Sequence, residues 1–202
     1  MEENQVHQDL ASIRNLMERS SKFISLSGLS GILAGVYALA GSGIAYDMLN
    51  SEAASLTTEN SFQVIFKLAV IAVLVLLAAV ITGLLLSGRK AKRRGQQIWG
   101  PTSRALLFQM IVPLLTGGLL IALFLSRGNV DMIAAVCLIF YGLALISASS
   151  FTFTDIKYLG LCDVALGLIA AVYPGYSLLL WAAGFGVLHI VYGSIMYLKY
   201  DR

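Results

Sequence analysis

The chain has 202 residues, of which 58% are hydrophobic and 12% charged, with a formal net charge of +3 and a mean hydropathy of +0.81. A soluble domain is about 25% charged, so this composition lacks the polar surface that water requires. It excludes a soluble enzyme, a disordered chain and a free nucleic-acid-binding domain, and it points to an all-α, polytopic transmembrane helical bundle.

At the start of the chain Val6, Leu10, Ile13 and Met17 recur at helical spacing, with Arg14/Glu18 and Glu18/Lys22 four residues apart. This pattern predicts a short amphipathic helix within a cytoplasmic segment, residues 1–22. It would lie on the inner membrane surface, lead into the first span or pack against a partner. Glu2, Glu3 and Asp9 do not form the basic head of a cleaved signal peptide, so the first span reads as an uncleaved signal-anchor.

Residues 23–202 form the predicted six-helix transmembrane domain. A helix needs roughly 20 apolar residues to cross a ~30 Å hydrocarbon core, and six segments qualify: about Phe23–Tyr46, Phe62–Ser87, Ala105–Leu125, Met132–Phe153, Ile156–Tyr173 and Ser177–Leu198. With both termini inside, twelve of the fourteen Lys and Arg residues fall on the cytoplasmic side and only Lys67 and Arg127 remain outside. Six spans, N-in and C-in, satisfy the positive-inside rule; five or seven would put Lys199 and Arg202 on the wrong side. Cys137 and Cys162 lie inside predicted helices, and no N-x-[ST] sequon occurs. A bacterial cytoplasmic membrane fits these features.

Between spans two and three the run Arg89, Lys90, Lys92, Arg93 and Arg94 is the densest charge in the chain. Near anionic headgroups each such residue is worth about 1 kcal/mol, and a lipid-facing, orientation-setting role accounts for the run without nucleic acid. Span three contains Pro113, which cannot donate to the carbonyl of Gln109 and predicts a kink. Gln109, Pro113 and Thr116 are candidates for lining a cavity there, against the alternative of an ordinary kink. Asp155, after the hydroxyl-rich end of span four, is positioned to cap span five.

Three spans share one spacing: Gly28, Gly31 and Gly35 in the first; Gly160, Asp163 and Gly167 in the fifth; Gly186, His189 and Gly193 in the sixth. Positions 0, 3 and 7 share a helical face, and small residues let helices approach closely in lipid. Spans one, five and six are therefore expected to cluster. Asp163 and His189 differ in depth by roughly 4–5 Å on either side of the Tyr173–Tyr176 turn, within reach of each other if their stripes face. They are the candidate polar pair, either a proton-relay or ligand-binding pair or an interhelical hydrogen bond that locks the hairpin.

The stretch from Ile13 to Gly31, IRNLMERSSKFISLSGLSG, resembles the N-terminal signature of an orphan family of small bacterial six-span membrane proteins. Some members of that family carry a label as carotene-cleaving oxygenases. A non-haem iron centre needs several His or carboxylate ligands, whereas the histidines here are His7 and His189; no metal site or cofactor is assigned, and the resemblance supplies no catalytic residues. The leading functional expectation is a non-catalytic module that binds a small molecule, transports, or docks a membrane or cytosolic protein or a second copy. The alternatives are an intramembrane enzyme using Asp163 and His189 as acid and base, and a sensor signalling to a cytosolic partner.

Overall fold

The computed structural model describes residues 26–52, 58–93, 95 and 99–201. The amphipathic helix expected within 1–22 and Arg94 of the basic run lie outside them. The described chain is all-helical, without a strand. Its helices are α1 (Gly28–Glu52), α2 (Thr58–Arg93), α3 (Pro101–Ser126), α4 (Ile133–Ala148) and α5 (Ile156–Val172). A final rod, residues 177–201, is assembled from α6 (Ser177–Trp181), a π-helix (Ala182–Leu188), α7 (His189–Met196) and a second π-helix (Tyr197–Asp201).

Among the described residues five helical segments are long and apolar enough to cross a bilayer, the pattern of a multi-pass membrane protein. The segment that falls short is α5, whose 17 residues rise only about 25 Å. Several ends differ from the hydropathy reading. The expected start of span one near Phe23 lies outside the described residues; helix α1 begins at Gly28 and runs on to Glu52, and α2 continues through much of the basic run to Arg93. Polar residues thus extend helices that hydropathy alone would stop at the membrane edge.

Local chemistry sets other boundaries. Pro101 opens α3 at a position where its missing N–H costs nothing. The same helix closes on Gly128 at φ 73°, with Gly128 N–H bonded to Leu125 O (3.1 Å) and Asn129 N–H to Phe124 O (2.9 Å). That is the paired-bond glycine stop of a helix C-terminus. Pro113 does not interrupt α3, which is continuous across it.

The C-terminal rod occupies the middle, with α1 on one side and α4 and α5 on the other. Helix α2 packs on α1, and α3 packs on α4. Both outer helices present rows of exposed Leu, Val, Ile and Phe, among them Leu74, Leu77, Leu84, Leu115 and Leu119, which in a bilayer meet acyl chains.

Glycine decides two of these contacts. A Cβ at Gly193 would lie 2.5 Å from the Ile32 nitrogen and 2.8 Å from the Gly28 carbonyl; one at Gly35 would lie 2.6 Å from the Gly186 carbonyl. The glycines of α1 and of the rod therefore meet backbone to backbone, as their shared spacing led us to expect. The glycines of α5 make a different choice. A Cβ at Gly160 would lie 2.6 Å from the Gly142 carbonyl, and one at Gly167 would lie 3.0 Å from the Ala135 carbonyl. Helix α5 thus presses on α4 rather than joining α1, because α4 carries its own small residues seven apart, Ala135 and Gly142.

Candidate functional site

At the junction of α4, α5 and the rod sits Asp163. It is the eighth of the seventeen residues of α5, between two glycines that hold α5 against α4. Its exposure is 0%, and neither carboxyl oxygen has a hydrogen-bond partner among the described residues. Its surroundings are aliphatic and tight: a Cβ built on Gly184 would lie 2.9 Å from Asp163 Oδ1, 2.5 Å from Leu138 Cδ2 and 3.5 Å from Leu166 Cδ1. Only a glycine at 184 leaves the carboxyl its space.

His189 is buried beside the same glycine but is held by other groups. Its Nδ1 lies 2.9 Å from the Gly184 carbonyl and its Nε2 2.8 Å from the Tyr141 hydroxyl. A carbonyl only accepts, so Nδ1 carries the proton; in the neutral ring Nε2 then accepts from the Tyr141 O–H. Asp163 and His189 form no hydrogen bond or ion pair with each other. The structure brings the two predicted residues to Gly184 without joining them.

The rod is wound as a π-helix over Ala182–Leu188, the stretch containing Gly184. Such wide turns leave backbone carbonyls for side chains and occur often at functional sites, and here the His189 ring takes the Gly184 carbonyl. Trp181, Phe185 and His189 stack along one face of the rod, with centroid separations of 5.0 and 5.9 Å, and Tyr141 closes on Phe185 at 4.9 Å. The sequence reading missed Tyr141 and Gly184. The aromatic spacing 181, 185, 189 was available as a signal; the π-turn had none.

The other predicted positions fall elsewhere. Gln109 and Thr116 are exposed on α3, away from the junction, and the Thr116 hydroxyl donates back to the Val112 carbonyl at 2.8 Å. Pro113 is half-buried in the same helix. Helix α3 meets α4 instead through Gly117, where a Cβ would lie 2.6 Å from Phe140 Cβ. Cys137 is partly buried, and Cys162 is exposed beside Asp163 in sequence but not in direction.

Of the basic run, Arg89, Lys92 and Arg93 are exposed or partly so at the end of α2, whereas Lys90 turns inward. Its ammonium donates to the Leu26 carbonyl (2.7 Å), pairs with Asp201, and lies 5.8 Å from the centre of the Phe153 ring. Asp201 also accepts from the Gly28 N–H (2.8 Å) and the Ser27 hydroxyl (3.2 Å), so it caps the start of α1. Asp155 occupies the position before α5 yet makes no capping bond there. Its carboxylate accepts instead from Lys199 and the Tyr200 hydroxyl, each at 2.8 Å. Those two bonds hold the Asp155 carboxyl below its ordinary range. The last π-turn, Tyr197–Asp201, thereby stitches α1 and α2 to the α4–α5 connection at one end of the bundle.

Among the described residues no group of three or more His, Cys, Asp or Glu side chains comes together to hold a metal ion. Compared with known proteins, the chain matches no family model, no curated protein and no solved structure. The chemistry of the junction is therefore read from its own geometry.

Proposed function

We propose that the protein is a six-span, N-in/C-in protein of a bacterial cytoplasmic membrane that works as a non-catalytic, transport-like module, with its binding site at the α4–α5–rod junction. The observation that carries this reading is the carboxyl of Asp163, fully enclosed and without a hydrogen-bond donor among the described residues. A charged or polar group in hydrocarbon costs several kcal/mol, and packing alone does not require one here: an apolar residue no larger than aspartate would satisfy the same aliphatic walls. Enclosure of such a group is the ordinary mark of an ion or substrate path. A purely structural role would have given it a partner.

The topology is supported by the two polar clusters. They draw the start of α1, the end of α2, the α4–α5 connection and the end of the rod to a single face, as three successive hairpins require. Arg89, Lys92, Arg93 and Lys157 stand exposed at that end, suited to anionic headgroups. The non-catalytic part rests on His189, both of whose ring nitrogens are committed to fixed bonds. Partners fitting this reading are anionic lipids, a second copy, or another membrane or cytosolic protein.

A transport-like module must at some stage admit water to the junction. The test is an Asp163→Cys variant in a Cys137→Ser, Cys162→Ser background, reconstituted in liposomes and treated with a small charged thiol reagent from either side. Labelling from one or both sides supports the reading. A thiol protected from both sides, in protein that remains folded, refutes it and leaves a dry scaffold.

A further inference from the structure

We propose that the ligand of this site is the proton: the Asp163 carboxyl holds one in the closed bundle and releases it to water when the junction opens. The inference rests on the interior-site reading above and names the species bound. In the release step the carboxyl O–H bond breaks, its electron pair stays on the carboxylate and the proton passes to water; nothing is oxidised or reduced.

Three observations select the proton over another cation. The first is the absence of a donor to either carboxyl oxygen at zero exposure. An ionised carboxylate there would have no amide, hydroxyl or ammonium of the described residues facing it, a state far too costly to be the resting one.

The second is the lack of a coordination shell. Hard cations take six or more oxygen ligands, whereas this junction offers Leu138, Leu166 and a glycine whose carbonyl already accepts from His189. The gap at Gly184 is smaller than a methyl group, so no hydrated ion fits. A proton needs neither shell nor space.

The third concerns the charges around it. Among the titratable groups on packed elements, α4 offers Tyr141 and Cys137, and the rod offers His189 and Tyr192, with Tyr197, Lys199, Tyr200 and Asp201 in its last turn. The short turns carry Asp131 and Tyr176 at exposed positions, and on α5 itself Cys162, Lys157 and Tyr158 are exposed. None forms an ion pair with Asp163, and Lys199 is engaged with Asp155. The Tyr141 hydroxyl is joined through His189 to the Gly184 carbonyl, so the phenol and the histidine are the polar groups behind the glycine that faces the carboxyl. The π-turn at Ala182–Leu188, a wide turn of the kind often found at functional sites, carries the Gly184 that covers the carboxyl.

The experiment is infrared difference spectroscopy of the full chain in lipid nanodiscs, between acidic and alkaline buffer. The expected result is a protonated-carboxyl band that titrates, shifts in D₂O and disappears in Asp163→Asn, with a displaced midpoint in Tyr141→Phe. Carbon-13 labelling of all aspartates identifies the band as aspartate in the unmodified protein, so the test survives a variant that does not fold. Absence of any titrating aspartate band from the interior overturns the proposal. A second arm follows thermal unfolding at fixed pH in sodium chloride against choline chloride. Sodium-dependent stabilisation that Asp163→Asn removes, without a titrating band, overturns the proton assignment and keeps the interior site. A band that neither titrates nor exchanges in D₂O, with no sodium effect, marks a locked structural acid and ends both readings.

Discussion

Replacing Gly193 by alanine tests the central contact of the bundle. The new methyl carbon would stand 2.5 Å from the Ile32 nitrogen, 2.8 Å from the Gly28 carbonyl oxygen and 2.9 Å from the Gly31 carbonyl carbon, where ordinary contact begins at 3.4 Å. All three are backbone atoms of α1, so no rotamer can relieve the clash. The helices must part by about 0.9 Å, a gap that forfeits a quarter to a half of each dispersion contact along the seam. Overpacking of this kind costs about 1–3 kcal/mol, and the involvement of backbone on both sides puts the expected loss near the upper end. Unfolding of purified protein by denaturing detergent, followed by circular dichroism, reads the difference directly. Gly43→Ala and Gly118→Ala are the controls, because a Cβ at either meets nothing within 4 Å, and both should be at least as stable as the parent, by up to about 1 kcal/mol from the helix preference of Ala over Gly. If Gly193→Ala falls within about 0.5 kcal/mol of the controls, the range of ordinary surface changes, the backbone-to-backbone seam is wrong.

Three further outcomes follow from the polar contacts. Tyr141→Phe keeps the ring against Phe185 but removes the donor to His189 Nε2; it should cost about 0.6–2 kcal/mol and change the nitrogen chemical shifts of the His189 ring, and unchanged shifts would contradict the bond. The side chains of Lys90 and Asp201 are only 13% and 9% exposed, so Asp201→Asn strands a largely buried ammonium and should destabilise on the order of 3 kcal/mol. Adding Lys90→Met to it should restore part of that loss, and strictly additive effects in the double-mutant cycle would rule out the pairing. Asp155→Asn carries a pH signature. Because its partners depress the Asp155 pKa in the folded state, its contribution is present at neutral pH and lost as pH falls below the ordinary carboxylate range. The gap between variant and parent should therefore close below about pH 4, whereas a gap constant from neutral pH to pH 3 would refute the Asp155–Lys199–Tyr200 cluster.

Hydropathy was enough to read an all-helical chain of several membrane-length apolar helices and the rough position of each described one, because the bilayer imposes that signal residue by residue. The glycine spacing also led to the α1–rod seam, since a missing Cβ has one geometric use in such a helix. It did not show which partner each stripe would choose: Gly160 and Gly167 found Ala135 and Gly142 on α4, a small pair at matching separation that lay unnoticed among larger residues. Asp163 and His189 were legible as the unusual polar groups of the interior, but their relation was not. The π-turn shifts the register of the rod, and an extra residue in one turn leaves no trace in a periodicity count. Lys90 was hidden for the opposite reason, as one cation in a run of five, distinguished only by the distant Asp201.

The seam between α1 and the rod has a consequence for biosynthesis. Gly28 and Asp201 bond across 173 residues of chain, and ribosomes add about 5–20 residues per second. The first helix therefore enters the membrane on the order of ten to thirty seconds before its mate is made. During that interval its bare glycine groove lies against lipid or the insertion machinery, and the newborn protein is held only by neighbouring hairpins.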